Sequence, residues 1–321
     1  MNKKKLTKVL LILFLVVALT GCTKVLTDKN KKAVKNPITG QSLTENIVCK
    51  PTNKKTIKLY EDNGKDLSKL PECKDLKIKG KYEGLWNTFF IRPLSYAIVK
   101  LGTIFKSAAL ALIAITIIIR LILYPITRKT AMQSENMKKA QPEIKKIEKK
   151  YEGKTDSEST AKKGQEMMLV YKKYNINPMS GCIFAIIQMP LLFAFIEAIN
   201  RVPAIFEETF LGLNMGMTPW VGITSGKIYY IIIPALIVLV TYFSFKMNSA
   251  STAADSGKQS KMMATFMTIF IGFMSFTLST AIGIYWIVSS GFTVVQNIIT
   301  DRSRRNGKNN SWSKNNWRSK K

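Results

Sequence analysis

Arg120 stands in the run Ala-Ile-Thr-Ile-Ile-Ile-Arg-Leu-Ile-Leu-Tyr-Pro of residues 114–125, and the apolar stretches of the chain offer no Asp or Glu at matching depth. A guanidinium near the centre of a membrane helix costs about 2.5–3.5 kcal/mol on insertion scales, so such a residue usually faces a protein interior or a watery cavity and serves a function. The chemistry it offers is reversible recognition of an anion. Thr116 lies four residues before it and Tyr124 four after, so all three share one helical face. The competing reading is that Arg120 snorkels, since it precedes Ile126 at the end of the run by only about 9 Å at 1.5 Å per residue. Other polar but neutral residues recur in the apolar stretches: Gln188; Thr241 and Ser244; then Trp286, Ser289, Ser290, Thr293, Gln296 and Asn297. Helix–helix hydrogen bonding accounts for part of this set. The candidates for a substrate-binding groove are Arg120, Thr116, Tyr124, Gln188, Thr241, Ser244, Trp286 and Ser290.

Several chemistries lack their residues. The chain holds no histidine, which removes Ser-His and Cys-His catalysis, His-ligated metal sites and histidine proton relays. No Gly-x-x-x-x-Gly-Lys-Ser/Thr loop occurs, so nothing points to nucleotide hydrolysis. The apolar stretches carry no aspartate pair, and their one carboxylate, Glu197, falls near a stretch end. No catalytic residue, metal or cofactor is expected.

The elements that must position these residues are membrane helices. Apolar blocks of about 18–20 residues match the bilayer core and predict spans at 108–126, 179–199, 228–247, 262–280 and 282–300, the last two joined by a turn near residues 280–283. Before them, Lys3, Lys4, Lys5 and Lys8 precede the apolar run 9–19 and Leu-Thr-Gly-Cys22, the pattern of a signal peptide ending in a lipobox. An uncleaved anchor is the alternative. Residues 23–80 are rich in Lys, Asn, Thr and Asp, and a tether with limited local structure is expected. From Tyr82, Trp86, Phe89, Phe90, Leu94, Ile98, Leu101 and Phe105 recur near helical spacing, predicting an amphipathic helix that bends or starts at Pro93.

The formal charge is +29. Loop 127–178 carries 13 Lys and Arg and the tail from Asp301 carries eight, against two in loop 200–227. Positive charge collects on the cytoplasmic side, which places loop 127–178 and the C-terminus inside and the N-terminal segment outside. Loop 127–178 divides at Gly153–Ser159 into a helical hairpin, with Ala140, Ile144, Ile147 and Tyr151 opposite Met167, Met168, Tyr171 and Tyr174. These stripes pack each other; the rival reading makes the methionines an adaptable client surface. The tail, with Trp312 and Trp317 among charges, reads as disordered and suited to ribosomal RNA or anionic lipid. A Cys49–Cys73 disulfide is permitted but not demanded by the sequence.

The segment Asn-Pro-Met-Ser-Gly-Cys-Ile-Phe-Ala-Ile-Ile-Gln-Met-Pro-Leu-Leu-Phe at 177–193, with Arg120 before it and Tyr285-Trp286 after it, resembles the YidC-type membrane protein insertases across residues 86–297. The Leu-Thr-Gly-Cys22 signal is similar to that of bacterial lipoproteins, which implies cleavage before Cys22 and a covalent lipid, such as palmitate, on it. The insertase resemblance implies an all-α polytopic membrane protein of five transmembrane helices around a hydrophilic groove, with a cytoplasmic helical hairpin. Its parts would be a signal peptide at 1–21, a lipidated extracytoplasmic tether at 22–81, an insertase core at 82–300 with the outer helix at 82–106 and the hairpin at 127–178, and a basic tail at 301–321. Arg120 matches the family's groove arginine and Trp286 its aromatic residue in the last span. Ser244 stands where many relatives have Gln, and Phe184 where many have Pro. The implied activity is insertion of nascent membrane proteins into the bacterial plasma membrane without nucleotide, with the ribosome, the Sec translocon and anionic lipids as further partners and DNA excluded. An anion channel or transporter using Arg120 is the alternative; a structural envelope lipoprotein leaves Arg120 and the basic hairpin without a role.

Overall fold

The structure is a computed structural model that describes residues 24–78, 80, 82–177, 180–248 and 257–318. The expected signal peptide and the expected lipidation site Cys22 lie outside the described residues, as do Pro178 and Met179. The described residues divide into two compact units: those within 24–118, 188–237 and 272–288 form the first, and those within 119–187, 238–271 and 289–318 the second. It is an all-α polytopic membrane protein. Among the described residues, segments Asn87–Phe105, Ala108–Lys150, Ile228–Met247 and Thr280–Arg302 are long and apolar enough to cross a membrane, and Ala264–Ser275 is a shorter apolar helix. Leu121, Ile122, Leu239, Phe266, Ile269, Phe273 and Ile299 are exposed on such helices. Exposed apolar side chains of this kind are stable against lipid and not against water.

In the first unit, residues 24–78 are corrected from a loosely structured tether to a folded segment. Bridges pair Val25 with Thr44, Thr27 with Ala33 and Lys35 with Ser42. The helix α1, Lys54–Asp62, begins at Asn53, whose side chain accepts from Lys55 N and Thr56 N. Leu26, Val34, Leu43, Ile47, Tyr60 and Leu67 make one core, and Cys49 and Cys73 form a disulfide. The apolar residues are few, but the bridges and α1 bring these six together, and the crosslink lowers the entropy of the open chain. Thr218 N donates to Thr39 O at 2.8 Å and Val48 N to Arg201 O at 2.9 Å, which seats this segment on residues 201–221. Gly40, at φ +72°, fits there because a Cβ would stand 2.5 Å from Val221 Cγ2.

A π turn at Asn87–Ile91 leads into α2, Arg92–Phe105, with Pro93 in its first turn. The helical path therefore starts before Pro93 and runs through it, with one backbone hydrogen bond missing at the ring. Ile91, Leu94, Ser95, Ile98 and Val99 are buried while Phe89, Phe90 and Ile104 are exposed. Helix α3, Ala108–Lys150, runs through both units and continues past Pro125 and Pro142. Glu208 serves its N-terminus, accepting from Ala109 N at 3.0 Å and Ser107 Oγ, where a carboxylate is favoured by the helix dipole. Helix α4, Ser157–Lys173, is capped by Asp156, and α5 spans Ser180–Arg201. Then come α6, Pro203–Phe206, the hairpin β1–β2 (Thr209–Phe210 and Leu213–Asn214), α7, Pro219–Thr224, and α8, Ile232–Asn248. Helices α9, Gly257–Ser275, and α10, Thr280–Arg318, end the chain.

The turn between α9 and α10 occupies residues 276–279, just ahead of the expected position. A Cβ on Gly283 would stand 2.6 Å from Ile233 Cγ2, so α8 and α10 approach within the first unit only because that side chain is absent. Phe195 and Tyr285 stack at 4.3 Å between ring centroids. In the second unit, Met137, Ala140, Ile144, Ile147 and Tyr151 of α3 pack with Val170 and Tyr171 of α4, and Met167 and Tyr174 border them. That is the expected hairpin, except that Met168 is turned out and half exposed. The tail expected to be disordered continues α10 as helix to Arg318; no proline after Thr300 interrupts it.

Candidate functional site

The second unit holds Arg120 and the polar edge of α10. Arg120 is 5% exposed. Its Nε donates to Ser289 Oγ at 3.1 Å, and Nη2 donates to the same oxygen. Seven residues on, Thr127 Oγ1 donates to Gln296 Oε1 at 3.0 Å. The two contacts repeat because 120 to 127 on α3 and 289 to 296 on α10 are each two helical turns, the spacing at which facing helices keep one seam in register. Between and beyond them, Thr293 Oγ1 donates to Ser289 O and Thr300 Oγ1 to Gln296 O. These hydroxyls are satisfied by their own helix while lying on the same buried edge.

Arginine stays protonated at any accessible pH, so burial cannot be relieved by losing the proton. The Ser289 hydroxyl satisfies donors of the guanidinium without cancelling its charge. A polar edge that includes a buried guanidinium thus runs between α3 and α10 at residues 120–127 and 289–296.

Of the residues expected at the site, Arg120, Tyr124, Thr241, Ser244 and Ser290 fall in the second unit and Thr116, Gln188 and Trp286 in the first. Thr241 is buried, while Tyr124, Ser244 and Ser290 are half-buried. Thr116 is buried and donates to Leu112 O at 2.7 Å, a bond to its own helix. Trp286 and Gln188 are half-buried. Ser289 meets Arg120 directly. Thr127, which the sequence does not single out, and Gln296, one of the polar residues of the last span though not among the eight groove candidates, join the same edge; their seven-residue offset from 120 and 289 is the signal that marks them.

The first unit contains a different charged group. Arg201 and Glu197, four residues apart on α5, pair directly, and Arg201 Nη1 also lies 3.4 Å from Glu83 Oε2. Trp86 Nε1 donates to Glu197 Oε2 at 3.0 Å. Arg201 and Glu197 are each 3% exposed. This is an ion pair closed on itself. Among the described residues no group of three His, Cys, Asp or Glu could hold a metal ion.

Residues 100–308 match the model of the 60Kd inner membrane protein family. A protein of Listeria monocytogenes serotype 4b named membrane protein insertase YidC 1 is 34% identical over 230 residues, 71% of this chain and 76% of that one. Membrane protein insertase YidC of Oceanobacillus iheyensis is 33% identical over 68% of this chain and 85% of its own length. Membrane protein insertase MisCA of Bacillus subtilis is 32% identical over 67% and 78%. With the family's region covering the Arg120 helix, the hairpin and the last span alike, the chain belongs to the family of YidC-type membrane protein insertases.

Proposed function

We propose that this chain is an insertase that moves short polar segments of nascent membrane proteins through a hydrated groove and releases their hydrophobic spans into lipid without nucleotide hydrolysis. The observation that carries the reading is Arg120, buried on α3 and hydrogen-bonded to the neutral Ser289 hydroxyl, in a chain of the insertase family. An acidic residue in a client's translocating tail is drawn to Arg120, whose field is stronger in reduced dielectric than in water. Ser289 aims the guanidinium; Tyr124, Thr241, Ser244 and Ser290 contribute further polar groups to the groove. Arg120 acts as a transient receptor and takes no part in bond making.

The client's apolar span then leaves along the exposed Ile, Leu and Phe of the helices. At about 25 cal/mol per Å², a few hundred Å² of buried apolar surface exceeds the cost of carrying a few polar groups along a hydrated path. The basic hairpin and the Arg- and Lys-rich end of α10 receive the client at the ribosome or beside the Sec translocon, on the cytoplasmic side of the bacterial plasma membrane. A lipid on Cys22 anchors the N-terminal segment on the other side.

The test is insertion of a single-span client with an acidic N-terminal tail, released from a carrier into nucleotide-free liposomes. The intact protein inserts it; Arg120→Ala loses insertion of the acidic-tailed client by tenfold or more and retains that of a neutral-tailed one; Ser289→Ala gives an intermediate loss. Equal insertion by all three proteins removes Arg120 from the mechanism. Anion leakage without insertion would replace the insertase reading with a channel.

A further inference from the structure

The hairpin β1–β2 breaks two preferences at one residue. Thr209 pairs with Asn214 and Phe210 with Leu213, which leaves Leu211 and Gly212 as a two-residue turn at φ +51° and +79°. Positive φ at both central positions favours Asn, Asp or Gly at the first, because a larger side chain is crowded by its own backbone in that conformation. Leucine occupies the position instead, and it is 84% exposed. A turn in water would gain from a polar residue at 211 on both counts, in backbone fit and in hydration. Such an outlier persists where its surroundings stabilise it, and outliers of this kind cluster at functional surfaces.

Contacts within the first unit fix the height of the hairpin against the apolar helices. Asn214 N donates to the Tyr230 hydroxyl at 2.7 Å, and Ala281 N and Thr280 N donate to Met215 O and Met217 O, each at 2.9 Å. The base of the hairpin is thus tied to the first residues of the apolar segments Ile228–Met247 and Thr280–Arg302. Its tip reaches further along them: Phe210, Leu211 and Leu213 line a cavity of about 460 Å³ together with Ile232 and Leu236 of α8 and Ile284 of α10. Leu236 lies about 12 Å beyond Ile228 at 1.5 Å per residue. The cavity wall is aliphatic and aromatic throughout, and Ile228, Ile232 and Leu236 are exposed along the same helical path, so the tip continues its lipid-facing surface.

Trp220 and Tyr229 are exposed at the same end of the first unit. Trp220 is placed by its N–H, which donates to Phe276 O at 3.0 Å in the turn between α9 and α10. Exposed Trp and Tyr rings gather at the headgroup level of a bilayer. The open edges of a two-stranded hairpin need water, which reaches that level but not the bilayer centre, so the depth available to the tip is the upper part of the acyl region. We propose that residues 210–213 form a membrane wedge: Leu211 inserts among the phospholipid acyl chains of the leaflet beside the N-terminal segment, and one of those chains fills the cavity under the tip.

The full-length protein would be reconstituted in vesicles of phosphatidylglycerol and phosphatidylethanolamine that carry a phospholipid with a diazirine high on one acyl chain. After irradiation, carbene adducts are mapped by mass spectrometry. Adducts are expected on Phe210, Leu211 and Leu213 at a yield comparable to that on Ile232, and about fivefold or more above that on Glu61 of α1, which is exposed in the N-terminal segment. A second measurement replaces Leu211 by an environment-sensitive fluorescent amino acid, which the exposed turn can hold. A phospholipid with a nitroxide high on its acyl chain quenches this probe, and aqueous iodide on both sides of the vesicle quenches it about fivefold less than the same probe at Glu61. Adducts on Ile232 with none on residues 210–213 would show that lipid reaches the helix and not the tip, and would overturn the proposal. Equal iodide quenching at the two positions would overturn it as well, by placing Leu211 in water.

Discussion

Arg201 and Arg120 are guanidinium groups on apolar helices, 3% and 5% exposed, and they meet different chemistry. Arg201 has the carboxylates of Glu197 and Glu83 beside it; Arg120 donates to the hydroxyl of Ser289. A carboxylate cancels the charge it contacts, and the pair becomes part of the scaffold. A hydroxyl satisfies the donor and leaves its field in place. The same residue type at the same burial is therefore paired with carboxylates in the first unit and donates to a neutral hydroxyl in the second.

The largest effect that could break this contrast is on stability. Arg201→Ala leaves Glu197 buried without its partner, and loss of one member of a buried pair costs about 3–5 kcal/mol. Arg120→Ala leaves a neutral hydroxyl short of a partner, about 1–3 kcal/mol. Thermal unfolding of both variants in one detergent should place Arg201→Ala clearly lower, while only Arg120→Ala discriminates between acidic and neutral client tails. If the two variants unfold together, Arg120 is as structural as Arg201 and the contrast fails.

Next in size is the crosslink beside the Arg201 anchor. Cys49 follows Val48, whose N–H donates to Arg201 O, and the bridge to Cys73 closes a loop with a sequence separation of 24. Replacing both cysteines by serine should cost about 2–4 kcal/mol in the segment 24–78, seen as faster proteolysis there. Client insertion should be unchanged, because the Arg120 edge lies in the other unit. A smaller loss, about 1.5 kcal/mol, is expected for Glu207→Gln. The Glu207 carboxylate accepts from Thr52 N at 2.8 Å, Thr52 Oγ1 at 2.7 Å and Asn53 N at 3.2 Å, and the neutral amide weakens all three. Insertion that fell with either change would tie the first unit to the client path.

What could be read without coordinates follows from how local the determining physics is. The hairpin core of Ala140, Ile144, Ile147 and Tyr151 was legible because helical periodicity alone puts those residues on one face. Arg120 was legible as a charge in an apolar run. Its contact was not, because Ser289 and Ser290 differ by about 100° around a helix, and only the rotation of α10 against α3 decides between them. The fold of segment 24–78 is not legible in this way because its core joins Leu26 to Leu67, with no period for a window to detect. Glu197 stands in the sequence as a carboxylate near a stretch end, four residues before Arg201, a spacing that puts both on one helix face once the helix extends to residue 201.

The smallest effects belong to the hairpin, where the charges are exposed and the comparison with the two arginines is sharpest. Hydrogen bonds from Lys173 and then Tyr174 hold the Glu143 carboxyl below its usual range, and the Lys150 contact does the same for Glu166. The same contacts raise Lys173 and Lys150. A carboxyl lowered on folding contributes stability that is present above its unfolded value, about 4.3, and lost as pH falls through the folded one. A lysine raised on folding contributes below its unfolded value, about 10.4, and loses that contribution as pH rises through the folded one. The hairpin should therefore hold a plateau between about pH 5 and 10 and soften on both sides. The Glu143→Gln, Glu166→Gln double variant should lower that plateau slightly and flatten both edges, as followed by limited proteolysis with an acid-active and an alkaline-active protease. Since such pairs are worth little in water, a large loss in the double variant would mean that the hairpin, like Arg201 and unlike Arg120, uses its charges to hold the fold.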